Sequence, residues 1–97
     1  MKKLEEELMD ELLNGLKNYG KIEWDDEDEL LGMLISAARD TLEAAGVSKD
    51  NATSLYRLAV ERLAMHYYEH REEVGTGAPV PMGLNWMIEH LRLGDAL

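Results

Sequence analysis

Apolar residues recur at helical spacing along most of the chain, in four separate stretches. The first stripe is Leu4, Leu8, Leu12, Leu16 and Tyr19, widened by Met9 and Leu13. Glu5, Glu6, Glu7, Asp10, Glu11, Asn14, Lys17 and Asn18 fill the opposite arc. This pattern predicts an amphipathic helix over about 3–19 with one buried face. Gly20 is its expected stop. The second stripe is Leu30, Leu31, Leu34, Ile35, Ala38, Leu42 and Ala45. It predicts a helix over about 26–45, with Arg39 on the polar arc beside Gly32, Ser36, Asp40 and Glu43. Asp25 or Asp26 is the expected N-cap, and Gly46 the expected end.

A third helix is predicted over about 52–73, preceded by Ser48, Asp50 and Asn51 as capping candidates. Tyr56, Ala59, Val60, Leu63, Ala64 and Tyr67 form one wide face, while Leu55, Leu58 and Met65 fall outside it. A helix apolar over most of its circumference is central to a bundle or touches something on a second side. Two glycines and both prolines then break the chain between Gly75 and Pro81. Pro81 suits the first turn of a last, short helix over about 82–93. Leu84, Met87, Ile88 and Leu91 are its core face, and Met82, Trp86 and Leu93 lie on another side. No window of five or more residues alternates cleanly between apolar and polar, so no strand is predicted. The expected fold is all-α: a small four-helix single domain over residues 1–97 with a short C-terminal helix.

Composition narrows the function. A chain of 97 residues has room for one core, and domains this small often lean on a partner. Twenty acidic against ten basic residues give a net charge of −10, which argues against nonspecific binding to DNA or anionic membranes. The absence of cysteine excludes a disulfide scaffold and a thiolate metal site. No apolar run approaches the roughly 18 residues of a membrane span. The start of the chain turns acidic where a signal peptide needs an apolar stretch. The expectation is a soluble protein of an intracellular compartment, or one assembled there.

The sharpest local motif is His66-Tyr67-Tyr68-Glu69-His70, which matches the inverted zinc-peptidase pattern H-x-x-E-H. Two histidines at i and i+4 share a helix face and can hold one metal, while the glutamate activates a water. A catalytic zinc needs a third protein ligand, and the acids that follow (Glu72, Glu73, Glu89, Asp95) show no matching motif. The plainer expectation puts His66 at the edge of the core face and Glu69 and His70 at the surface. The acids from Asp25 to Glu29 fail the calcium-loop pattern, because position 6 falls on a leucine in both registers. They read better as a charged helix start. The glycines at 75 and 77 make no phosphate loop, and the basic residues form no stripe. The remaining signal is surplus apolar surface: Met82, Trp86, Leu93, Tyr68, Leu55 and Met65. Exposed apolar patches on soluble proteins mark interfaces, which are enriched in Trp, Tyr and Met.

The order of motifs resembles a known family. The stretches are Leu16-Lys17-Asn18-Tyr19 with Ile22, then Trp24 to Leu31, then Ile35, Ala37, Ala38 and Arg39. Leu58-Ala59-Val60 and the run from Ala64 to Gly75 follow, then Pro81-Met82-Gly83-Leu84 and a short last helix. Over about 13–93 the chain is similar to the small head–tail connector (adaptor) proteins of tailed phages and prophages, also called DNA-packaging proteins. Residues 1–12 add helical length before the resemblance begins. The resemblance implies a structural virion protein, not an enzyme, with no cofactor. It implies a homo-oligomeric ring below the portal, on the order of a dozen copies with head-to-tail interfaces. Its implied partners are other copies of itself, the portal protein, and head-closure or tail proteins, with the genome passing through unheld. The place is the virion neck, and the host cytoplasm during assembly.

Charge and resemblance meet in one expectation. A ring of such chains is strongly anionic, and acid-lined walls would let DNA slide instead of sticking. Glu27, Asp28 and Glu29 are the candidates for lining that channel. Tyr68, Met82, Trp86 and Leu93 are the candidates for contacts with copies or partners. Two other readings stand beside this one. One is an acidic helical interaction or regulatory module binding a basic protein. The other, more remote, is a small zinc hydrolase using His66, Glu69 and His70.

Overall fold

Four α-helices form in the order the stripes predict: α1 Glu5–Tyr19, α2 Asp28–Ala44, α3 Ser54–Glu69 and α4 Leu84–Ala96. The computed structural model describes residues 5–51, 53–74, 76, 80–81 and 83–96, and no strand occurs among them. The third helix is the hub. It packs against α1, α2 and α4, while α2 also packs against α1. That placement uses the wide apolar face of α3, where Tyr56, Ala59, Val60, Leu63, Ala64 and Tyr67 are all buried. Leu12 and Leu16 of α1, Leu31, Ile35 and Leu42 of α2, and Leu84 and Leu91 of α4 close around it. Each fully buried leucine contributes about 1.5–3 kcal/mol, so these side chains carry much of the stability. Leu55 and Met65, expected as surplus surface, pack against the rim of this core.

Several boundaries differ from the sequence expectation, each for a local reason. The left-handed residue after α1 is Lys21 (φ 55°), not Gly20. Ile22 donates its N–H to the Lys17 carbonyl at 2.8 Å, which fixes the left-handed position one residue later. A Cβ on Gly20 would meet the terminal methyl of Met65, which would have to swing aside. After α2, Gly46 (φ 97°) does take the left-handed position. Gly46 N–H bonds the Glu43 carbonyl and Val47 N–H the Leu42 carbonyl, at 3.0 and 2.9 Å. Thr53, not Ser48, Asp50 or Asn51, caps α3: its hydroxyl accepts from the Tyr56 N–H at 3.1 Å. Asn51 supports the cap by accepting from the Thr53 hydroxyl.

Two further departures shape the surface. The third helix stops at Glu69, and the chain turns through a single 3₁₀ turn, Arg71–Glu73. Arg39, expected on the polar arc, is only 4% exposed. Its Nε donates to the Tyr56 hydroxyl at 3.2 Å and its Nη2 to the Lys49 carbonyl at 3.3 Å. Its Nη1 pairs with Glu5. Burial works against this charge, but the bonds to Glu5 and Tyr56 outweigh it and raise the pKa. The same pairing lowers the pKa of Glu5.

Candidate functional site

The acidic cluster at the start of α2 is a joint between helices. Its N-cap position falls on Glu27, whose side chain makes no cap bond, rather than on Asp25 or Asp26. Asp25, Glu27 and Asp28 are committed to partners elsewhere in the chain instead. Lys17 of α1 donates to Asp25 at 2.5 Å and to Asp28 at 2.9 Å. Those bonds raise the pKa of Lys17. The Tyr68 hydroxyl of α3 donates to Glu27 Oε1 at 2.5 Å, and the Trp24 indole N–H donates to the same oxygen at 3.1 Å. Arg71 reaches the other oxygen at 3.4 Å and lies 5.3 Å from the Tyr68 ring centre. The Tyr68 bond, then the Trp24 bond, then the Arg71 charge hold the Glu27 pKa below the ordinary glutamate value. The same bond pushes the Tyr68 phenol up. Tyr68, Glu27 and Asp28 are therefore partnered inside the chain, whereas Glu29 is exposed.

The outer face of α4 has the opposite character. Met87, Ile88 and Leu91 point into the core, while Trp86 is 60% and Leu93 61% exposed. The Trp86 ring lies 4.1 Å from the ring of His90, one turn on. Met82 lies outside the described residues. The sequence reading missed Met33, which is 66% exposed on α2. Its signal was an apolar residue beside Asp40 at the margin of the polar arc. Leu58, Trp24 and Tyr19 are also exposed. A shallow cleft of about 150 Å³ opens beside α3, between Tyr19 of α1 and Pro81 and Leu84 at the start of α4. Arg62, Met65, His66 and Glu69 form its floor and rim.

The H-x-x-E-H residues do not form the peptidase arrangement. The motif needs both histidines on one continuous helix face. Here α3 ends at Glu69, and His70 takes a non-helical cap conformation (φ −133°, ψ 65°). The two imidazole rings face one another at 4.6 Å, and His66 Nε2 meets Glu73 at 3.4 Å. Glu69 is exposed. Among the described residues, the ligand atoms that converge are those of His70, Glu72 and Glu73. No helix among the described residues is long and apolar enough to cross a membrane.

The described residues thus form a small helical part with an exposed apolar face on α4 and an acidic joint whose Glu27 and Asp28 are partnered within the chain. Comparison with known proteins gives this part a family. The family model described as phage gp6-like head-tail connector protein matches residues 9–92. No curated protein and no solved structure gives a significant match. The matched family is structural, a component of the phage particle at its neck rather than an enzyme. With residues 9–92 of 97 covered, the chain belongs to the phage gp6-like head-tail connector protein family.

Proposed function

We propose that the chain assembles into a closed ring beneath the portal, joins the DNA-filled head to head-closure or tail proteins, and lets the genome pass. The family match over most of the chain carries this reading. A ring needs two different, complementary patches on every copy, because its interfaces are head-to-tail. Trp86 and Leu93, more than half exposed on one short helix, suit one of those patches. Tyr68 contributes less directly, since its hydroxyl already serves Glu27. Met82, proposed with them, lies outside the described residues.

The channel-lining role divides among the acids. Glu27 and Asp28 are spent on Tyr68 and Lys17, so neutralising them would loosen the joint as well as change the charge. Glu29 is the clean probe. With Glu29→Gln built into the particle, genome ejection should slow if acids keep DNA sliding; unchanged ejection kinetics would count against a lumen position.

The assembly test uses light scattering on purified protein with and without portal. Trp86→Ala combined with Leu93→Ala should keep the helical circular-dichroism signal and shift folding stability by no more than about 0.5 kcal/mol per site. The same double variant should lose the ring-sized species. Rings that form as readily as with the unaltered chain would remove this face from the interface.

A further inference from the structure

The side chains at the end of α3 and in the turn after it have not been absorbed by the connector role. We propose that His70, Glu72 and Glu73 form a binding site for one divalent transition-metal ion of the zinc class. His70 Nδ1 stands 3.7 Å from a Glu72 oxygen and 3.7 Å from Glu73 Oε2. One ligand atom from each residue lies within 4.8 Å of the other two. Ligands bound to tetrahedral zinc at about 2.0–2.2 Å stand about 3.3 Å apart. The imidazole–carboxylate spacings therefore need to close by a few tenths of an ångström, and the two carboxylates, within 4.8 Å of each other, by up to about 1.5 Å, which rotation of the exposed Glu72 side chain can supply.

The surroundings favour a metal over a simple ion pair. The two carboxylates are held in one 3₁₀ turn, where the Glu73 N–H bonds the His70 carbonyl at 3.0 Å. The second Glu73 oxygen faces His66 Nε2 at 3.4 Å. That contact leaves Oε2 for the metal and orients the carboxylate, as outer partners of metal ligands do. Arg71, the neighbouring cation, is turned onto Tyr68 and Glu27, so it does not fill the site. His70 and Glu72 are exposed, which gives the ion a path in and leaves a fourth position for water. An imidazole with two carboxylates suits zinc, nickel or cobalt, whereas calcium takes six to eight oxygens. Bound there, the ion would clamp the 3₁₀ turn to the end of α3. Glu69, the would-be base of the peptidase motif, takes no part.

Titration of the full chain with zinc chloride by calorimetry, in excess magnesium, tests the assignment. The expected result is one saturable site per chain, weakened about tenfold or more by His70→Ala and by Glu72→Gln. Glu89→Gln on α4 should leave it unchanged. Circular dichroism checks that each variant keeps its helices, which these exposed positions should allow. Three results would overturn the site: no saturable one-to-one binding, binding that magnesium abolishes, or weakening of less than about tenfold in either ligand variant. Loss of binding in His66→Ala and His70→Ala with Glu72→Gln unaffected would instead return the metal to the helical histidine pair, and would also overturn it.

Discussion

Two seams pack against α1, and each takes an ionisable side chain out of water. In the seam with α2, Arg39 is buried and has Glu5, Tyr56 and the Lys49 carbonyl as partners. In the seam with α3, Glu61 is half-buried over Gly15, whose missing side chain leaves room for the carboxylate. No hydrogen bond or ion pair forms on Glu61 among the described residues. Burial raises its pKa, and only the charge of Arg57 opposes this. Arg57 sits one turn before Glu61, where an i,i+4 pair would be ordinary. It is drawn instead to Glu11 of α1 at 3.2 Å, and its Nε is buried without a partner. The same helix is thus clamped near its start by a fully partnered cation and met further along by a half-buried carboxyl that has no protein partner among the described residues. Burial alone does not tell whether a charge holds a seam; the partners do.

Arg39→Ala should have the larger effect. It empties the space of a buried stem and leaves the Tyr56 hydroxyl and Lys49 carbonyl without their donor. The expected loss is about 2–4 kcal/mol in urea unfolding. For a domain of this size the melting midpoint would fall by about 10–25 °C. Arg39→Met separates the two contributions, because it keeps most of the stem and none of the donors. About half the loss should return. A Met variant as stable as the unaltered chain would break the comparison, showing that shape rather than polar partners holds the α2 seam.

Why Arg39 was misread, while the helices around it were not, is physical. A periodicity count sees side-chain class, so stripes of Leu, Ile and Ala located four helices and the core-facing side of each. The same count scores arginine as polar, although its stem packs like an apolar chain and its fork reaches several acceptors. Arg39 sits next to Ala38 at the edge of the apolar stripe, and only tertiary structure brings Tyr56 and Lys49 to it. Asp25 failed as a cap for a related reason: Lys17 of α1 draws its carboxylate from elsewhere in the chain. The end of α3 was hidden because no glycine or proline stands between Glu69 and Gly75. Trp86 and Leu93 were legible as surplus on the wheel because α4 is short and docks on one side only. Met33 was not, since a lone apolar residue on a polar arc is common.

Glu61→Gln should have the smaller effect, with opposite sign. The folded pKa of Glu61 lies above its unfolded value, so the folded state holds the proton more tightly than the unfolded chain. The contribution of this residue therefore falls as pH rises from the ordinary glutamate range through the raised folded pKa. At pH 7 burial works against the charged form of this carboxyl, and the neutral amide should stabilise the chain by about 0.5–1 kcal/mol. That corresponds to a rise of about 3–6 °C in midpoint. Near pH 4 the unaltered carboxyl is largely protonated, and the two proteins should converge. Urea melts at both pH values read the difference directly. Glu5 and Glu27, whose pKa values are lowered by their partners, change stability in the other direction over acid pH, but they do so equally in both proteins and cancel. A Glu61→Gln gain that is the same at pH 4 and pH 7 would mean that side-chain shape over Gly15, not the desolvated charge, sets the α1–α3 seam. A loss at pH 7 would mean that Arg57 does pair with Glu61 in solution, and the two seams would then be alike.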